Sequence, residues 1–116
     1  MTFPIQQWDV VKVRINPERD RDTHPAVIIS GGEICSDGRQ LRLNVLFGSK
    51  KLPAVGKRLH AVLLNGADGL EFVTEVDCGF VHVVSKEKVV GTAGRVTPVR
   101  QREIVRMMME CWRFRA

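Results

Sequence analysis

Hydrophobic and polar positions alternate in short bursts along most of this chain, and the period changes near its end. In "WDVVKVRI" (8–15), Val11, Val13 and Ile15 fall on one face and Lys12 and Arg14 on the other. That two-residue period predicts a half-buried strand. "AVIIS" (26–30) is a β-branched run that reads as a central strand. "LRLNVLFGS" (41–49) alternates again, with Leu41, Leu43, Val45 and Phe47 pointing one way. "RLHAVLL" (58–64) and "GFVHVVS" (79–85) are further strand candidates, and "KEKVVGTAG" (86–94) reads as a strand end or a short loop. The closing "TPVRQREIVRMMMECWRF" (97–114) is different in kind. Thr97 stands as an N-cap, Pro98 occupies the first helical position, and Ile104, Val105, Met108, Cys111 and Trp112 share a helical face.

The connections carry turn chemistry. "NPERDRDTHP" (16–25) holds two prolines and no apolar residue, "GGEICSDGRQ" (31–40) holds three glycines, and "NGADG" (65–69) is a strong turn signal. "KKLPAVGK" (50–57) is a basic stretch broken by Pro53 and Gly56. Five or six short strands followed by one amphipathic helix over 97–114 predict a mainly β domain covering residues 1–116. The expected form is a small barrel with the helix over an open edge or end. Helix-length crossovers between strands are missing, which speaks against a parallel α/β sheet.

Composition narrows the function classes. The chain has 116 residues and a formal net charge of +5, which suits nucleic acid or another polyanion. Cys35, Cys78 and Cys111 are odd in number and widely spaced, a pattern that fits neither a disulfide framework nor a zinc knuckle. The N-terminus shows no signal-peptide pattern, and no apolar run nears the ~18 residues of a membrane helix. The expected setting is the reduced cytoplasm, with no membrane association. His24, His60 and His82 are far apart, and their spacing supports no metal site and calls for no cofactor. Aromatic residues make up 6% with no Tyr, and Phe47, Phe72 and Phe80 read as core, which argues against a stacking platform for single strands.

Two segments carry candidate chemistry. The loop 16–25 sets Arg19, Arg21 and His24 among acidic residues, as either a solvated charged loop or a phosphate-facing one. RNA cleavage through its own 2′-hydroxyl needs a base for that hydroxyl, a cation for the phosphate and an acid for the leaving oxygen. Histidine can move either proton near neutral pH, and arginine or lysine can hold the phosphate. "FGSKK" (47–51) places Ser49, Lys50 and Lys51 at a strand end, where a hydroxyl and two ammonium groups could hold a phosphate or simply face solvent. Arg14, on the polar face of the first strand, adds to the candidate RNA-binding set of Arg19, Lys50 and Lys51.

Taken in order, these segments resemble the PemK/MazF family of toxins from toxin–antitoxin pairs. Asp9-Val10-Val11 and Pro25-Ala26-Val27-Ile28-Ile29-Ser30 match the family's opening, "LFGSKK" stands where it has a strand ending in Thr or Ser, and Gly94, Arg95, Thr97 and Pro98 match its closing cap and helix. The resemblance implies an SH3-like β-barrel shared with the CcdB-type toxins, usually a homodimer. It implies an endoribonuclease that cleaves single-stranded mRNA without a metal, and a small acidic antitoxin partner. Mapped onto this chain, the catalytic set is His24 as proton carrier or pocket marker, Ser49 as a phosphate partner and Arg21, with Arg19 or Lys50 as the other sources of charge. Two departures stand out: Trp8 replaces the family's opening glycine, and His24 replaces the arginine before the proline. "VHVVSKEKVV" also lacks the polar Asp-Gln-Ile-Arg pattern of many members. The alternative is a non-catalytic relative on the same barrel that binds RNA or poisons DNA gyrase, since fold alone does not fix function.

Overall fold

The computed structural model describes residues 4–16, 18, 21–52 and 56–113. Its strands are β1 (Asp9–Val13), β2 (His24–Ile28), β3 (Arg42–Lys50), β4 (Ala61–Leu64), β5 (Thr74–Asp77), β6 (His82–Ser85) and β7 (Val89–Arg95). A short helix α1 (Gly32–Ser36) follows β2, and α2 (Pro98–Cys111) closes the chain. The hydrogen-bonded order is β4-β5-β3-β2-β1-β7, with β6 also on β3 and every pair antiparallel. The expected barrel is therefore an open, barrel-like sheet of seven strands with a C-terminal helix.

Strand β3 organises this sheet. Its nine residues pair with β2 along one edge and with both β6 and β5 along the other. Its partner rungs run from Arg42 opposite Ser85 to Lys50 opposite Thr74. Side chains alternate across a strand, so β1, β2 and β3 feed two cores at once. Val10, Val27 and Leu46 pack with Val62, Leu64, Val76 and Ile104 of α2. Val11, Ala26, Ile28, Leu43 and Val45 pack with Cys35, Val84 and Val89. Each such side chain contributes about 1.5–3 kcal/mol when fully buried. The first strand is thus buried on both faces rather than one, and its outer residue Ile15 is exposed.

Several expectations change. β2 begins at His24, two residues before the predicted start, because Pro25 sits near the strand end, where a missing N–H is tolerated. The turn-rich segment 31–40 contains α1, at whose end the carbonyls of Ile34, Cys35 and the capping Asp37 accept from Nζ of Lys86. The segment 86–94 resolves into a 3-10 turn over 86–88 and the full strand β7. Strand β5 went unpredicted, since Thr-Glu-Val-Asp carries a single apolar residue. In α2, Ile104 is buried, while Val105 and Trp112 of the same predicted face are exposed. Thr97 occupies the N-cap without a side-chain cap bond. The helix ends at Cys111, and the predicted end at 114 lies outside the described residues.

Asp68 pins the start of α2 instead. Its carboxylate, with no solvent exposure, accepts from the backbone N–H of Asn65 at 3.0 Å and of Thr97 at 3.0 Å. There Gly69 (φ 90°) meets Gly94 so closely that a Cβ on Gly69 would lie 2.5 Å from the Ala93 oxygen. Trp8 is also in the left-handed region, at φ 75°. Its N–H donates to Ile28 O and its carbonyl accepts from Val96, which ties β2 to the segment before α2. The backbone shape that favours glycine thus survives at the position where glycine is replaced, and the indole packs against the core shared with α2.

That strain gives an ordering of variants. Trp8→Gly loses indole packing but relieves the left-handed backbone, whereas Trp8→Ala loses the packing and keeps the strain. Chemical denaturation is expected to rank wild type above Trp8→Gly and Trp8→Gly above Trp8→Ala by about 1 kcal/mol. The thiols give a second test. Burial, then the neighbouring Cys111 and Asp77, pushes the Cys78 thiol up to about 12. Burial also raises Cys35 and, at its half-exposed site, Cys111. Native protein treated with an aromatic disulfide reagent at pH 8 is expected to label Cys111 first, with Cys78 reacting only on unfolding. Rapid native labelling of Cys78 contradicts this packing.

Candidate active site

The sheet register converges on one edge. Val13 pairs with His24 across β1 and β2, and Ala26 pairs with Phe47 across β2 and β3. The next rung is closed by contact: a Cβ on Gly48 would lie 3.6 Å from the Pro25 ring and 2.6 Å from Thr74 Cγ2. Continuing that register one rung further brings His24 alongside Ser49. Ser49 in turn pairs with Glu75, and Glu75 with Leu63. His82 pairs with Val45 on the same face, its ring edge-on to Phe47 at 5.1 Å. His24, Phe47, Ser49, Glu75 and His82 therefore share one face of the sheet.

The feature that the sequence concealed lies across this row. Arg58, in the segment leading into β4, donates from Nη2 to Ser49 Oγ at 3.1 Å and from Nε to Glu75 Oε1 at 3.3 Å. The Arg58 backbone N–H donates to the same Glu75 oxygen. The Glu75 side chain is 7% exposed and that of Arg58 is 53% exposed. A carboxylate this deep needs a paired cation and hydrogen bonds, and Arg58 supplies both from main chain and side chain. Arg58 also lines a groove of about 510 Å³ with Lys57, His60, Met107, Glu110 and Arg113. His60 forms the turn before β4 with φ 64°, so it is a turn residue rather than the expected strand residue.

The structure distributes the other predicted residues differently. His24 is exposed at the first position of β2 and Ser49 is exposed near the end of β3. Arg21 is exposed on the connection before β2, while the hydroxyl of Ser49 is met by Arg58. Lys50 Nζ lies 4.2 Å above the Phe72 ring. Lys51 donates from Nζ to Leu52 O at 2.7 Å and from its backbone to Val73 O. Arg14 is half-buried beside Lys88, and its Nε is buried with no hydrogen-bond partner among the described residues. Arg19 lies outside the described residues. Of the rings expected in the core, Phe47 packs there, but Phe72 and Phe80 are exposed.

Among the described residues no three His, Cys, Asp or Glu side chains gather as a metal site, and no helix is long and apolar enough to cross a membrane. The chemistry on offer is an imidazole, a hydroxyl and a guanidinium at one solvent-facing edge.

Neither a protein-family model nor a curated protein sequence matches the chain. Solved structures do match. A mycobacterial endoribonuclease in complex with its cognate antitoxin superposes with a TM-score of 0.74 at 12% identity, covering 99% of both chains. A chain of the MazE-MazF crystal structure from Deinococcus radiodurans gives 0.75 at 10% identity, covering 98% of this chain and 100% of that one. The Mycobacterium tuberculosis toxin MazF-mt6 gives 0.72 at 8% identity over 93% of this chain and 99% of that one. The fold is that of the MazF-type toxins.

The tight rung at Gly48 can be tested directly. Gly48→Ala forces a methyl group into Thr74 beside Pro25 and is expected to destabilise by about 1–3 kcal/mol, the usual range for overpacking. A urea midpoint unchanged from wild type contradicts the close approach of β2, β3 and β5.

Proposed function

We propose that this chain is a toxin of the PemK/MazF type that cleaves single-stranded RNA without a metal. The observation that carries the reading is the approach of Pro25 to Gly48, whose neighbours His24 and Ser49 the same register sets side by side at the ends of β2 and β3, on a fold shared with MazF toxins. In this reading the RNA 2′-oxygen loses its proton to a base and attacks phosphorus. The bond from phosphorus to the 5′-oxygen breaks, and that oxygen takes a proton. The products are a 2′,3′-cyclic phosphate and a 5′-hydroxyl. His24 is the proton carrier and Ser49 is a hydrogen-bond partner for a phosphate oxygen. The +5 charge favours an RNA strand, and equally a small acidic antitoxin that covers the same edge. The family resemblance adds a homodimer acting in the cytoplasm.

A second reading, RNA binding without cleavage, draws support from the exposed Phe72 and Phe80 rings, which offer stacking surfaces. One assay separates the two. Purified protein is incubated with a long single-stranded RNA in EDTA, and the ends are mapped. Discrete cuts ending in cyclic phosphate are expected, with His24→Ala slower by about 10²-fold. Intact RNA bound to folded protein favours the second reading, and full activity in His24→Ala removes that residue from the mechanism.

A further inference from the structure

We infer that Arg58 is the cation that takes the charge of the scissile phosphate, and that Glu75 is the positioning residue that aims it; the inference rests on the RNA-cleaving reading above. As cleavage proceeds, negative charge grows on the non-bridging phosphate oxygens, and a fixed cation placed there lowers the barrier. Several cations lie near the site, and most are drawn elsewhere. Lys50 is over Phe72, Lys51 reaches the Leu52 carbonyl, Arg14 is half-buried with its backbone N–H on Lys88 O, and Arg21 is exposed on the connection before β2. Arg58 is bonded directly to the Ser49 hydroxyl.

A plain structural ion pair would also account for the contact between Arg58 and Glu75. Two observations go further. The Arg58 side chain is 53% exposed although that of its partner is 7% exposed, so one arginine links a buried carboxylate to the protein surface. It has five N–H donors in a planar fork, suited to two phosphate oxygens at once. The bonds to Glu75 and Ser49 use its Nε and one Nη2 donor. Three of its five N–H donors are left, and Arg58 also lines the groove with Lys57, His60, Glu110 and Arg113. Glu75 fixes the guanidinium through both Nε and the Arg58 backbone N–H, so the fork is oriented before RNA arrives. Arg58 exchanges no proton, since a guanidinium stays charged, and the proton transfers remain with the acid and base.

The test combines cleavage with binding. Arg58→Ala is expected to lower kcat/KM by about 10²–10³-fold, the scale of losing one stabilising donor. Arg58→Lys keeps the charge beside Glu75, and therefore the fold, and is expected to recover only part of the rate. Added guanidinium ion is expected to rescue Arg58→Ala. That rescue is expected to vanish in Arg58→Ala/Glu75→Gln although thermal stability is no lower than in the single variant, because the unpaired buried carboxylate is gone; a merely structural Glu75 would not lose the rescue. Binding of a 2′-O-methyl oligonucleotide, which cannot be cut, is measured against salt in parallel. If wild type cleaves and Arg58→Ala or Arg58→Lys cleaves as well as wild type, the inference falls while the nuclease reading stands. If wild type binds without cleaving, the nuclease reading falls. In that case weaker binding and a flatter salt dependence in Arg58→Ala sustain Arg58 as the phosphate cation, and unchanged binding overturns it. Wild type that neither binds nor cleaves overturns both.

Discussion

The missing side chain at Gly48 is the constraint on which this molecule turns. β3 serves two edges, and at Gly48 the ring of Pro25 and the methyl group of Thr74 close in from opposite sides. A Cβ there would run into Thr74 of β5 at 2.6 Å while only touching Pro25 of β2 at 3.6 Å. With glycine, three strands meet at one rung, and the rungs just beyond it carry His24, Ser49 and Glu75. The candidate site is thus a by-product of close strand packing. Its parts come from distant stretches of sequence, but backbone register holds them, so little conformational freedom is lost when they act together.

Electrostatics then selects what the edge can do. Burying Glu75 removes a carboxylate from water at a cost of several kcal/mol unless a cation and hydrogen bonds offset it. Arg58 offsets it from two directions, by main chain and by guanidinium. One consequence is that Arg58 cannot swing freely, although half of it is exposed. A surface arginine samples many rotamers, whereas this one is anchored at Nε and presents its remaining donors in a fixed direction. The edge therefore has N–H donors set in one direction by an ion pair that is itself neutral, distinct from the general basic surface that a +5 chain carries anywhere.

The strands with clear alternation and the terminal helix with its proline start were legible because their signals are local. The segments 41–49, 58–64, 79–85 and 97–114 each overlap the kind of element they announce. His24 and Ser49 were also legible, as polar residues at strand junctions. Glu75 and Arg58 were not. Their meaning depends on a bond across 17 positions, and Glu75 hides its own strand: a polar residue buried through an ion pair breaks the apolar pattern by which buried strands are read. The misplaced rings have a related cause. Phe72 and Phe80 flank β5, and with that strand unseen nothing in the period showed that they fall outside both cores.

The contact between Gly69 and Gly94 bears on how such a sequence can diverge. A Cβ on Gly94 would lie 2.6 Å from the Asp68 oxygen and 2.7 Å from the Gly69 α-carbon. Each glycine is blocked by the other's backbone neighbourhood rather than by a side chain. No second change elsewhere can make room, because a backbone atom cannot be exchanged for a smaller one. A clash with a side chain can be answered by a smaller residue elsewhere, whereas these two positions admit only glycine, and they lie beside the buried carboxylate that anchors the last helix.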